Sequence, residues 1–334
     1  LGQDILTKIR GEASGQFDVS GFLRNPAMKG ELELKDAGLK FPYLNVDYDF
    51  EGITKIRLED QQFILEKLIL LDTKHKTKGD FSGSISHQNF DNWYLDLDIL
   101  TTNLLVLDTK ETEESLYYGT AFINGNAEIY GVTDNLFIDV NAKTNPGTTF
   151  VIPLSDIKTV DNYKLIQFNV DKTIVAEKII NKELKALKGL DLKIKLEVTN
   201  DATAQVVIDK VNGSFIEGNG TGNLQIEIDT RGKFFMDGQF AIDEGKYEFK
   251  YAGLVNKTFK VEKGGTISWN GSPFDADLNL TAVYTTKANP AKLLENFNSS
   301  RKIPINLITK ITGGLFNSKQ EFDIEIPNVN NTIA

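Results

Sequence analysis

Side chains on an extended strand alternate between two faces, and residues 243–284 follow that rule closely enough to fix their conformation. In DEGKYEFKYAGLVNKTFKVEKGGTISWNGSPFDADLNLTAVY, Tyr247, Phe249 and Tyr251 fall on one side, opposite Lys246, Glu248 and Lys250. Past Ala252-Gly253, Phe259 and Val261 alternate with Lys260 and Glu262. Past Gly264-Gly265 the pattern resumes with Ile267 and Trp269, then Leu278, Leu280 and Ala282. The reading is an antiparallel meander with one dry face and one wet face.

The rest of the chain repeats this grammar. Leu192, Ile194, Leu196 and Val198 oppose Lys193, Lys195 and Glu197. Leu224, Ile226 and Ile228 oppose Gln225 and Glu227, and Phe322, Ile324 and Ile326 close the series. Earlier strands are expected at 17–19, 31–35, 46–50, 53–59, 63–71, 79–86, 93–107, 118–130, 136–142 and 164–170. Clusters such as Asn25-Pro26, Asn124-Gly125-Asn126 and Asn145-Pro146-Gly147 separate them. Two stretches break the pattern. Residues 173–187 place Ala176, Ile180, Leu184 and Leu187 on one helical face with Gly189 just beyond, and Asn289-Pro290 opens a two-turn helix ending near Phe297. The expected division is a β-repeat region over 1–172, a short amphipathic helix over 173–189 and a β domain over 190–334.

Composition narrows the function. A chain of 334 residues that is 40% hydrophobic and 25% charged, with net charge -10, is ordered and acidic. Its lysines and arginines are spread singly along the wet faces, which argues against nucleic acid as a partner. An acidic surface also gives no general attraction to anionic lipid headgroups. With no cysteine there is no disulfide framework and no thiol chemistry. The longest apolar run, FILEKLILL from Phe63 to Leu71, is too short to span a bilayer and carries Glu66 and Lys67. The opening LGQDILTKIRGEASG starts in mid-pattern without Met, so the chain is expected to be part of something longer, with any inner-membrane anchor outside it.

Candidate chemistry is thin. Gly218, Gly220 and Gly222 in EGNGTG lie on one face of a strand, with no βαβ unit after them; they suit close backbone approach rather than dinucleotide binding. His75 and His87 have polar neighbours in sequence and no partner at metal-ligand spacing, so both are expected to be solvated and no metal is called. Ser82, Ser84 and Ser86 lack a nucleophile elbow. No catalytic residue and no cofactor is assigned, and the expectation is a protein that is not an enzyme.

A dry face must be covered, since each ~40 Å² of apolar surface left wet costs about 1 kcal/mol. A second sheet can cover it, a barrel can close on it, or a curved trough can be filled by lipid chains. Periodicity does not choose among these, and alone it favours a sandwich or a β-helix.

The succession EGKYEFKYAGLVNKTFKVEKGGTISWNGSPFDADLNLTAVYTTKANP, followed by KIPINLITKITGGLF and FDIEIPNV, resembles the C-terminal domain of the TamB family in its Bacteroidota form. Weaker similarity reaches back through KGLDLKIKLEVTNDATAQVVIDKVNGSFIEGNGTGNLQIEIDTRGKFFMDGQ. The resemblance implies an all-β, taco-shaped trough with a hydrophobic interior, of the AsmA-like bridge type, carrying phospholipid acyl chains across the periplasm of a Gram-negative bacterium. Its implied partner is an Omp85-family outer-membrane barrel of the TamA type, meeting the chain near residues 303–326. On this reading the lipid-binding groove is lined by Leu192, Ile194, Leu196, Leu224, Ile226, Ile228, Tyr247, Phe249, Tyr251, Phe259, Val261, Ile267, Trp269, Leu278, Leu280, Phe322, Ile324 and Ile326. About 24 strands at ~4.8 Å each would give a body on the order of 100 Å long. The rival implications are an assembly factor that receives nascent outer-membrane strands and a structural β-solenoid with a filled interior.

Overall fold

The computed structural model describes residues 7–22, 25–112, 115, 117–153, 189–229, 233–273, 275–289, 302–315 and 317–327. All regular structure among them is β. In chain order the strands are β1 (Thr7–Phe22), β2 (Asn25–Phe41), β3 (Val46–Phe50), β4 (Thr54–Asp60), β5 (Gln62–Asp72), β6 (Lys78–Gln88), β7 (Asp91–Thr109), β8 (Tyr118–Val132), β9 (Asn135–Thr144) and β10 (Thr149–Pro153). They continue as β11 (Leu190–Val198), β12 (Thr203–Asp209), β13 (Ser214–Asp229), β14 (Phe234–Tyr251), β15 (Val255–Val261), β16 (Thr266–Gly271), β17 (Asp277–Ala288), β18 (Ile303–Gly314) and β19 (Lys319–Glu325). The expected helices at 173–187 and 290–297, the strand at 164–170 and the domain boundary at 173–189 lie outside the described residues.

One sheet holds all nineteen strands. Its ladder is antiparallel except where β9 pairs with β11 and β10 with β12 in parallel. Four rungs hold two strands end to end. β3 and β4 both pair with β2 and β5, β9 and β10 both pair with β8, β11 and β12 both pair with β13, and β15 and β16 both pair with β14. Fifteen rungs at ~4.8 Å make a ladder of about 70 Å measured along the sheet. Several turn-like clusters interrupt a strand without reversing it, so that two expected strands share one rung there.

Those interruptions make a crease. The strand breaks at 51–53, 145–148, 199–202 and 262–265 lie beside register shifts at Leu65/Leu68 in β5, Thr101/Leu104 in β7 and Asn219/Gly220 in β13. Bulges of this kind bend a strand and sharpen its twist. Gly52 (φ 76°) and Gly264 (φ 90°) supply left-handed backbone that other residues resist.

Folding along the crease buries the dry face in three clusters. Val46, Tyr48, Leu70, Leu104, Leu105 and Phe122 form one, and Leu65, Leu68, Leu95, Leu97 and Leu136 form the second. The third is the largest and centres on Ile216, Phe240, Ile242, Tyr247, Phe259, Val261, Leu280 and Ile311. Contacts between distant rungs hold the walls together. Tyr48 Oη donates to Leu105 O at 2.6 Å, Asp108 N donates to Leu44 O at 3.0 Å, and Gln320 Nε2 reaches Tyr247 Oη at 3.5 Å. The wet face carries cross-strand ion pairs, Lys143 with Glu197 at 2.7 Å and Lys246 with Glu217 at 3.2 Å.

Candidate functional site: the apolar inner face

Residues opposite each other in a ladder project to the same side, so the register traces the inner face strand by strand. From the first edge it runs Val19 to Met28, then Gly30 to Leu58, Phe63, Ile85 and Leu95. One step along, Leu97 leads to Ile129, Ile138, Leu192, Ile228 and Phe234. Beside it Val140 leads to Ile194, Ile226 and Met236, and Leu196 to Leu224, Gly238 and Trp269. Ile267 opposes Leu278, Leu280 opposes Ile311, and Ala282, Thr309 and Phe322 carry the face to the last strand.

Coverage along this face is uneven. Among the described residues, Ile138, Val140, Leu192, Ile194 and Ile228 are only half-buried and belong to none of the three clusters. They form a middle section between the second and third clusters. At both edges the inner face is open: Phe17 and Val19 on β1, and Phe322 and Ile324 on β19, are exposed. In the closed C-terminal part the walls meet over a gap of ≈ 10 Å³ lined by Val206, Ile216, Ile267, Leu278, Leu280 and Leu315, room for about one water-sized sphere.

The expected groove residues therefore fall into distinct settings. Leu224, Tyr247, Phe259, Val261, Ile267, Trp269, Leu278 and Leu280 are buried in the C-terminal cluster, with Leu196, Ile226 and Phe249 packed against it. Leu192, Ile194 and Ile228 line the half-buried middle, and Ile326 is half-buried just past β19. Tyr251 stands exposed beside the β14–β15 turn. The groove expected from the sequence left out the inner-face residues of the first ten strands, although Phe17, Val19, Leu32, Leu34, Val46, Tyr48 and Phe50 alternate there, and also Met236, Phe240, Ile242 and Ile311. The same alternation marks them, as in Leu95, Leu97 and Ile99.

The close approach expected at the glycine series is present. A Cβ on Gly220 would sit 2.0 Å from Ala241 O, and one on Gly222 2.4 Å from Gln239 O. His87 departs from expectation. It is buried, stacked on Phe90 at 4.4 Å and beside Trp93 at 4.8 Å, because Phe63 and Trp93 come from neighbouring strands that sequence adjacency hides. Burial lowers its pKa. His75 is exposed, edge-on to Phe122.

Polar side chains collect where the sheet breaks. Burial alone would raise the pKa of Asp72, but N–H donors from Thr77, His75 and Lys74 outweigh it and hold the carboxylate below its ordinary range. Burial raises the Tyr48 and Tyr247 hydroxyl pKa values. Among the described residues no group of three or more His, Asp or Glu could hold a metal ion. No helix among them is long and apolar enough to cross a membrane.

A folded sheet whose apolar face runs from edge to edge, over the residues that resemble TamB, meets a direct match. The family model of the TamB C-terminal domain matches residues 67–331. The chain belongs to the TamB family. Membership carries a role, in the broad sense, in outer-membrane assembly or lipid transport in the Gram-negative envelope. A search of the curated proteins found no match.

Proposed function

We propose that this chain is part of a periplasmic bridge that carries phospholipid between the inner and outer membranes without chemistry of its own. Acyl chains lie against the apolar inner face and headgroups ride at the open seam. The observation that supports this reading is the middle of the inner face, where Ile138, Val140, Leu192, Ile194 and Ile228 are half-buried and, among the described residues, packed into none of the three clusters.

The half-buried middle around Leu192, Ile194 and Ile228 is the natural resting place for an acyl chain. Where the C-terminal walls meet over so small a gap, passage requires them to part about the crease.

A second reading draws on β19. It pairs only with β18 among the described residues, and all seven of its residues are exposed. An open strand edge can accept a strand from another chain, which suits docking to an Omp85-family barrel of the TamA type or handling of nascent outer-membrane strands.

Native mass spectrometry with lipid extraction on detergent-free protein tests the main reading. Co-purified phospholipid, lost in Ile194→Glu, supports it. A lipid-free, stable and monodisperse chain overturns it in favour of the assembly role.

A further inference from the structure

The turn at 210–213 joins β12 to β13, and the turn at 252–254 joins β14 to β15. Since β13 and β14 are neighbours, the two turns lie side by side on one rim of the sheet. They are also bonded together. Ala252 N donates to Asn212 Oδ1 at 3.2 Å, Lys250 N donates to Ser214 Oγ at 2.9 Å, and Ser214 Oγ donates to Lys250 O at 2.9 Å. Each turn is braced internally as well, with Asn212 N donating to Asp209 Oδ1 at 2.8 Å and Leu254 N to Tyr251 O at 3.0 Å.

This rigid double turn presents apolar groups to solvent. Leu254 is 90% exposed, Val211 76% and Tyr251 63%. Ala252 holds φ 49°, a left-handed conformation that costs a residue with a side chain, next to Gly253 at 67°. Lys210, Lys250 and Lys257 flank the tip, but Lys210 pairs with Glu111 at 2.7 Å, Lys257 donates to Tyr284 Oη at 3.1 Å, and Asp209 and Glu248 stand beside them, so the tip is close to charge-balanced.

We propose that this double turn is a membrane anchor that inserts Val211, Tyr251 and Leu254 into the headgroup region of a phospholipid surface, with Lys250 at the phosphate level. The shape selects lipid over protein. A stable protein interface needs roughly 800 Å² per partner, far more than a convex tip of three side chains offers, whereas insertion into a bilayer uses each apolar group separately. Tyrosine and lysine suit the interface, one by its amphipathic ring and the other by a long stem with a charged end. The proposal does not rest on what the trough carries.

The absence of native cysteine makes the test clean. Leu254→Cys, labelled with an environment-sensitive dye, is mixed with vesicles of phosphatidylglycerol and phosphatidylethanolamine and with vesicles of phosphatidylcholine alone. The expected result is a blue shift on both kinds of vesicle that high salt does not abolish. Sedimentation with the same vesicles should be at least about tenfold weaker for Val211→Ser/Leu254→Ser, whose melting temperature should match the parent because both residues are exposed. An unshifted dye, or sedimentation unchanged in the double variant, overturns the proposal. Ile194→Glu should sediment like the parent whatever its lipid content, so failure of the anchor and failure of the conduit are read separately.

Discussion

Thr199 replaces a missing rung for Thr144. Its backbone N–H donates to Thr144 Oγ1 at 2.9 Å and its hydroxyl donates to Thr144 O at 3.0 Å, joining the ends of β9 and β11 where both strands break. Thr148 does the same for Phe122, whose N–H donates to Thr148 Oγ1 at 3.1 Å and whose carbonyl accepts from that hydroxyl at 3.1 Å. The crease thus satisfies with side chains the backbone groups that its bend takes out of the ladder. Thr144→Val should cost about 1 kcal/mol in urea unfolding, because it leaves the half-buried Thr199 N–H without an acceptor. Coupling between Thr144→Val and Thr199→Val in a double-mutant cycle should show that the two act as a unit.

The glycine series predicts a steric effect. Gly220→Ala would place a methyl 2.0 Å from Ala241 O and 2.9 Å from Phe240 Cζ, so the β13–β14 ladder must shift. Destabilisation of about 1–3 kcal/mol is expected. Gly253→Ala is the control for crowding: nothing lies within 4 Å of its added Cβ, so its cost should be limited to the strain of a left-handed residue.

Acid should act in two windows. His87 has its pKa lowered from 6.5 by burial, its Nδ1 accepts from Phe90 N at 3.0 Å, and its Nε2 is buried without a partner. The fold therefore prefers the neutral ring, and the stability this gives is full above the unfolded pKa and falls away as pH drops through the folded value. NMR titration should give His87 a pKa below the 6.5 of a free imidazole, and His87→Gln should flatten the stability profile below pH ~6.5.

The second window belongs to Asp72. Its folded pKa lies below the ordinary 3.8, so its contribution is present above that value and is lost only as pH falls through the folded one. Asp72→Asn should cost about 1.5–3 kcal/mol near neutral pH, since an amide oxygen cannot replace a carboxylate that accepts from Lys74 N, His75 N, Thr77 N and the Thr77 hydroxyl. Chemical denaturation of the variant at pH 7 and pH 3 should show the gap to the parent closing on the acid side.

Local alternation made the strands legible. The expected strands at 63–71, 79–86, 93–107, 118–130 and 136–142 correspond to β5 through β9, each extended by a residue or more at one or both ends. What alternation does not encode is direction. Ala252-Gly253 is a true hairpin between β14 and β15, yet Gly264-Gly265 looks the same in sequence and lets the chain continue along one rung from β15 into β16. Asn145-Pro146-Gly147 is a second such break, between β9 and β10 on β8. Sequence reading therefore found the dry face without finding the crease that folds it. It also left His87 solvated, because the hairpin turn that stacks Phe90 on it and the strands that bring Phe63 and Trp93 beside it are not encoded in alternation.

The measurement that tests the conduit most directly is site-specific photo-crosslinking in living cells, with the probe at Leu192, Ile194 or Ile228 on the inner face and at Lys193 or Lys195 on the outer. Phospholipid adducts from the three inner positions, with none from the two lysine positions, are the predicted result. Inner positions that capture outer-membrane polypeptides instead, or that capture no lipid, would contradict the account.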